Sequence, residues 1–176
     1  MNKQIFSIPN IVSFIRIIIV VFAAIELANG NNINAFLLYL TAAITDFLDG
    51  LLARYLNQIT SLGKVLDPIA DKLMIGSAII ILATQGRMPL WFVIMILAGS
   101  VFNLAGGLLL IKKYNYVPSA IMLGKIAAVI IMVTFLLNIV NFLYIEYLYY
   151  FATIFFVASI VGYVVKSVRE IGRVDK

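Results

Sequence analysis

Four aspartates lie within one 26-residue stretch of an otherwise apolar chain. Asp46 and Asp49 belong to TAAITDFLDG (41–50), and Asp67 and Asp71 to VLDPIADK (65–72). The members of each pair are three or four residues apart, so each pair projects from one face of a helix. An aspartate at the centre of a membrane-spanning helix costs about 2.5–3.5 kcal/mol, and four unpaired ones would cost roughly 10 kcal/mol or more. Packing needs no such arrangement, so these carboxylates read as functional. The chain has no histidine and no cysteine. That excludes imidazole- or thiolate-based zinc sites and Ser–His or Cys–His nucleophile pairs. Four carboxylates alone make a hard, all-oxygen site suited to Mg²⁺ or Mn²⁺, and less well to Ca²⁺. Two such ions can clamp the attacking and leaving oxygens of a phosphoryl transfer. Arg54, one turn past Gly50, offers a bidentate partner for a diphosphate, and Gly50 and Gly63 allow close approach to the backbone.

The elements that must carry these residues are membrane helices. Of 176 residues, 64% are hydrophobic and 12% charged, with no long linker or repeat, and the mean hydropathy is +1.09. A water-soluble domain carries about twice that charged share. Apolar segments at about 11–28, 35–55, 66–84, 89–111, 118–138 and 142–165 predict six spans in one domain, residues 1–176. Asn, Gly and Lys-rich breaks separate them, and residues 1–10 are expected to lie along the interface as a separate segment. The break at 55–63 is short enough to make the second and third spans antiparallel neighbours, with Pro68 starting or kinking the third. Lys3, Arg54, Lys64, Lys112, Lys113, Lys166, Arg169, Arg173 and Lys176 fall on one side, and Arg87 stands alone on the other. This bias predicts cytoplasmic termini and an aspartate site at the cytoplasmic face. The net charge of +5 then suits anionic headgroups rather than nucleic acid. Arg16, inside the first span, is equally readable as an interface anchor or as a cavity residue.

Residues 46–71 match D-x2-D-G-x2-A-R-x8-G-x3-D-x3-D at all eight specified positions. This pattern is the signature of the CDP-alcohol phosphatidyltransferases, and the chain resembles that family over essentially its whole length. The opening IPNIVSFIR (8–16) is similar to the family's start. LDPIADK (66–72) resembles the phosphatidylglycerophosphate synthase branch and the related cardiolipin synthases. The resemblance implies an all-α fold of six transmembrane helices, usually homodimeric, around a polar cavity facing the cytoplasm. It implies that Asp46 and Asp67 bridge two divalent ions, that Asp49 and Asp71 bind one each, and that Asp71 is also the general base. It assigns Gly50, Arg54 and Thr60 to the CDP moiety of CDP-diacylglycerol, with Asn10 and Ser13 as further candidates.

The implied reaction moves a phosphatidyl group to an alcohol acceptor and releases CMP. Glycerol 3-phosphate is the expected acceptor, and phosphatidylglycerol, giving cardiolipin, is the alternative. Relatives that use glycerol 3-phosphate tend to carry Arg followed by an acidic residue, and a second Arg, in the fourth span. Counting back from LGK (123–125), this chain has Ser100, Val101 and Leu108 there. Lys125 remains as a candidate for a phosphate-bearing acceptor. A proton or ion transporter is the reading from another class, since intramembrane carboxylates also serve as relays. The clustering of the acids on two adjacent segments, with no inverted repeat, disfavours it.

Overall fold

A computed structural model describes residues 8–55, 63–114 and 121–174, with side chains over 12–46, 69–112 and 121–170. The described residues form α1 (Ile8–Ala28), α2 (Asn32–Tyr55), α3 (Gly63–Thr84), α4 (Leu90–Tyr114), α5 (Met122–Ile139) and α6 (Ile145–Val174), with no strand among them. Over the described residues, Leu90–Lys112, Met122–Ile139 and Ile145–Glu170 are long and apolar enough to cross a membrane. This is a membrane protein of helices.

Helix ends depart from the apolar segments in instructive ways. Residues 8–10 open α1 instead of lying apart as an interfacial stretch, while 1–7 fall outside the described residues. α3 begins at Gly63, five residues before Pro68, so the proline neither starts nor ends it. Pro68 is the sixth residue of α3, just past the four N–H groups that have no intrahelical acceptor, so its missing N–H removes one bond of the helix ladder. α6 runs to Val174, nine residues past the apolar segment. Hydropathy marks where side chains leave hydrocarbon, and backbone hydrogen bonding continues beyond that point.

The ends of α1, α3 and α5 share one design. Gly30, Gly86 and Asn141 adopt φ of +81°, +69° and +54°. Each left-handed residue closes its helix with paired bonds, Gly30 N to Leu27 O with Asn31 N to Glu26 O, and Gly86 N to Ala83 O with Arg87 N to Leu82 O. Asn141 N to Asn138 O and Phe142 N to Leu137 O repeat the pattern. The turn residues legible in the sequence are the ones that stop these helices.

The chain divides into two compact units, one through Arg87 with Asn138–Asn141, the other Met88–Leu137 with Phe142 onward. In the first unit α1 lies along both α2 and α3, and α2 touches α3 much less. Among the described residues α1 is therefore the element that packs against both helices of the pair. The packed seam of α1 is Ser13, Arg16, Val20, Ala23 and Leu27, and that of α2 includes Ala35, Tyr39 and Ala42, all buried. Steps of three and four keep such a seam on one side of a helix. Arg87 closes the end of this unit away from the aspartates. Its guanidinium donates to Asn32 Oδ1 (2.9 Å) and to the carbonyls of Asn138 (2.5 Å) and Ile139 (2.7 Å). Gln85 Nε2 donates to Leu27 O at 2.9 Å. The lone basic residue of its loop thus caps helix carbonyls that have no intrahelical donor.

In the second unit Phe92 is buried against Tyr149 and Phe135, with ring centroids 4.7 and 6.4 Å away. Further along α4, Gly99 is buried where α6 passes so closely that a Cβ there would overlap Cε1 and Cζ of Phe156. Gly76, in α3, has open space around the same position. Gly99→Ala should therefore lower stability by about 1–3 kcal/mol through overpacking. Gly76→Ala should leave it unchanged or raise it by up to about 1 kcal/mol through helix propensity. Thermal unfolding of the detergent-solubilised variants checks this, with a lower Tm expected only for Gly99→Ala.

Candidate functional site

The seam that buries Ala35, Tyr39 and Ala42 on α2 reaches Asp46 at its next step and Asp49 at the one after. Helical periodicity thus carries the apolar packing stripe of α2 on to the Asp46 carboxylate. The α1 seam makes the complementary change at Arg16. Arg16 Nη1 lies 2.6 Å from Asp46 Oδ1, with the arginine side chain 0% exposed and the aspartate side chain 40% exposed. The anion is therefore held from within by a buried cation and keeps surface for a second partner. The contact is an ion pair by distance rather than an aligned hydrogen bond.

α3 brings Asp71 to the same end of the unit. Asp71 is half-buried, between buried Ala70 and exposed Lys72. About 10 Å along α2 from Asp46, the hydroxyls of Tyr39 and Ser77 meet at 2.8 Å and tie α2 to α3. Asp49, Gly50 and Arg54 lie on the last turns of α2, and Gly63 and Asp67 on the first turns of α3. The side chains of these five, and that of Asn10 in the first turn of α1, lie outside the described residues, as does Thr60 altogether. Ser13 is 0% exposed on the α1 seam, one turn before Arg16. It therefore has no open surface of its own for a nucleotide. Lys125 is exposed near the start of α5, in the second unit.

Ser100, Val101 and Leu108 are all exposed on α4, and Ser100 Oγ donates to Ile96 O at 2.7 Å. The packed side of α4 carries Gly99 and Asn103 instead, and Asn103 Oδ1 is buried with no hydrogen-bond partner among the described residues.

The donors are carboxylate oxygens, which fit hard divalent cations. Among the described residues no three acidic ligands gather, and only Asp46 and Asp71 of the four aspartates have described side chains. Sequence reasoning left Arg16 open between an anchor and a cavity residue, and the structure resolves it as the buried partner of Asp46. The available signal was its register, since Arg16 falls three and four residues into the Ser13–Val20 spacing of the seam.

A sequence model of the CDP-alcohol phosphatidyltransferases matches residues 6–165. The chain belongs to that family. It is 43% identical over 90 residues to the CDP-diacylglycerol–glycerol-3-phosphate 3-phosphatidyltransferase of Bacillus subtilis, covering 51% of this chain and 46% of that one. It is 32% identical over 146 residues to the enzyme of the same name from Aquifex aeolicus, covering 78% and 81%. It is also 39% identical over 103 residues to the cardiolipin synthase (CMP-forming) of Streptomyces coelicolor, covering 57% and 47%. The chain spans about half the length of the Bacillus and Streptomyces relatives that it matches. The matched region includes α1, so Arg16 lies inside the family's common core.

Removing one member of a buried ion pair strands the other, at about 3–5 kcal/mol for full burial and less where one partner meets solvent. Asp46→Ala should therefore destabilise the metal-free protein by about 2–3 kcal/mol. Adding Arg16→Met should restore most of that loss. Melting temperatures of the two variants in chelator test the coupling.

Proposed function

We propose that this protein transfers the phosphatidyl group of CDP-diacylglycerol to an alcohol, releasing CMP, with glycerol 3-phosphate as acceptor and phosphatidylglycerophosphate as product. The observation that carries the reading is the complete eight-residue signature, carried by two helices that both pack against α1. The names of the Bacillus and Aquifex relatives support the same acceptor.

In this reading all six helices cross the cytoplasmic membrane, both termini face the cytoplasm, and the aspartates line a cavity open to that side. The concentration of Lys and Arg in alternate loops supports this orientation. The protein works as a homodimer, as the family pattern implies. Asp46, Asp49, Asp67 and Asp71 hold two Mg²⁺ or Mn²⁺ ions. When bound, the ions polarise the pyrophosphate and neutralise charge developing on the leaving oxygen. Arg54 grips the diphosphate through paired N–H donors, and the flat backbone at Gly50 and Gly63 admits the nucleotide. Thr60 and Asn10 contribute to holding the CDP moiety. Asp71 takes the proton of the acceptor hydroxyl. The hydroxyl oxygen then forms a bond to the lipid-side phosphorus, and the bond from that phosphorus to the oxygen of CMP breaks. Lys125 assists a phosphate-bearing acceptor.

A second acceptor, phosphatidylglycerol, is favoured by one specific feature. α4 contains no arginine, and its only basic residues are Lys112 and Lys113 at the end. An acceptor that brings no phosphate monoester has less need of arginine forks. The name of the Streptomyces relative is consistent with that choice.

Purified protein given CDP-diacylglycerol and a panel of acceptors should form phosphatidylglycerophosphate, identified by product mass. Cardiolipin formed from phosphatidylglycerol would move the assignment to the second acceptor. EDTA should stop either reaction, and Mg²⁺ or Mn²⁺ should restore it. Asp71→Asn should reduce turnover by at least about 100-fold while CMP still binds by calorimetry. Undiminished CMP release would remove Asp71 from the role of base.

A further inference from the structure

We infer that Arg16 is a positioning residue for the metal centre, holding the Asp46 carboxylate so that one oxygen is fixed and the other is presented to a cation. This rests on the reading of Asp46 as a metal ligand. The signature extends only from Asp46 to Asp71, and Arg16 lies thirty residues before it, on a different helix.

Three observations converge on Arg16. Its side chain is 0% exposed, so it is not an interface anchor reaching for headgroups or water. Its Nη1 sits 2.6 Å from Asp46 Oδ1. It also belongs to α1, the helix that packs along both aspartate-bearing helices. The seam around it is otherwise small or apolar, with Val20, Ala23 and Leu27 on α1 and Ala42 on α2. An apolar side chain would serve such packing as well or better, because an ion pair removed from water gives little net stability over a hydrophobic substitute. Arginine at this position needs another explanation.

The chemistry of metal shells supplies one. A carboxylate ligand held by a buried outer partner, here through an ion pair, keeps its orientation before the ion arrives, and loss of such outer partners typically lowers metal affinity by 10–100-fold. Arg16 also changes the charge of the centre. Four carboxylates and two dications sum to zero, so the buried guanidinium leaves the loaded site cationic towards an incoming diphosphate. A planar fork keeps its direction when buried, whereas a lysine ammonium on a flexible stem fixes neither the plane nor the angle of its partner.

Arg16→Lys and Arg16→Met are the test, read first by Mn²⁺ binding through the free-ion electron paramagnetic resonance signal, without substrate. Arg16→Lys keeps the charge and should weaken Mn²⁺ binding by roughly tenfold. Arg16→Met should weaken it at least as much. In turnover assays the Mn²⁺ concentration for half-maximal rate should rise in parallel, while KM for CDP-diacylglycerol at saturating Mn²⁺ stays near its wild-type value. Wild-type Mn²⁺ affinity in folded Arg16→Lys overturns the proposal, and so does a lysine variant that no longer folds, which would make Arg16 a structural residue. If the wild-type protein itself binds no Mn²⁺, the metal reading of the aspartates fails, an outcome distinct from equal binding by wild type and variant.

Discussion

Charge placed among apolar helices must find its compensation inside the protein, and the Arg16–Asp46 pair is where this chain meets that demand. The guanidinium has no access to water, and the carboxylate it holds reaches the surface of the unit. Everything on α1 and α2 is arranged consistently with this contact. The small residues Ala23 and Ala42 let the helices approach, and the three-four spacing keeps both seams in register over several turns. An ion pair of this kind adds little net stability, but it strongly disfavours any packing that separates its members. It therefore selects one rotation of α1 against α2.

Opposite ends of the first unit use different devices for the same constraint. At one end Arg87, Gln85 and Asn138 satisfy helix carbonyls, and left-handed Gly30, Gly86 and Asn141 close the three helices that terminate in such turns. These contacts are local, numerous and independent of any ligand. At the other end the seams turn charged, at Arg16 on α1 and at Asp46 on α2. The Tyr39–Ser77 bond lies between them and ties α2 to α3 directly.

The packing of α4 bears on the acceptor. Ser100 and Leu108 stand where glycerol 3-phosphate-using relatives tend to carry arginine and Val101 where they carry an acidic residue, and all three are exposed on α4, while Gly99 and Asn103 occupy its packed side. A count along the sequence cannot tell the two sides apart, because each step of one residue turns a helix by about 100°. The charge missing at these three positions is therefore missing from the exposed side of α4.

Much of the chain was legible without coordinates. The absence of His and Cys set the chemistry to oxygen ligands, the spacing of Asp46, Asp49, Asp67 and Asp71 put each pair on one helical face, and the Asn-Gly and Gln-Gly breaks located the turns. These are local properties, decided by composition, by the 3.6-residue repeat and by the φ values that glycine and asparagine tolerate. Tertiary structure alone decided that α1 stands against both α2 and α3, that Ser13 is sealed inside, that Arg87 caps carbonyls, and that Arg16 belongs to Asp46. Those outcomes depend on which faces of distant segments meet. Hydropathy scores how apolar a segment is and carries no information about its rotation, so the partner of a buried charge emerges only when the helices are packed.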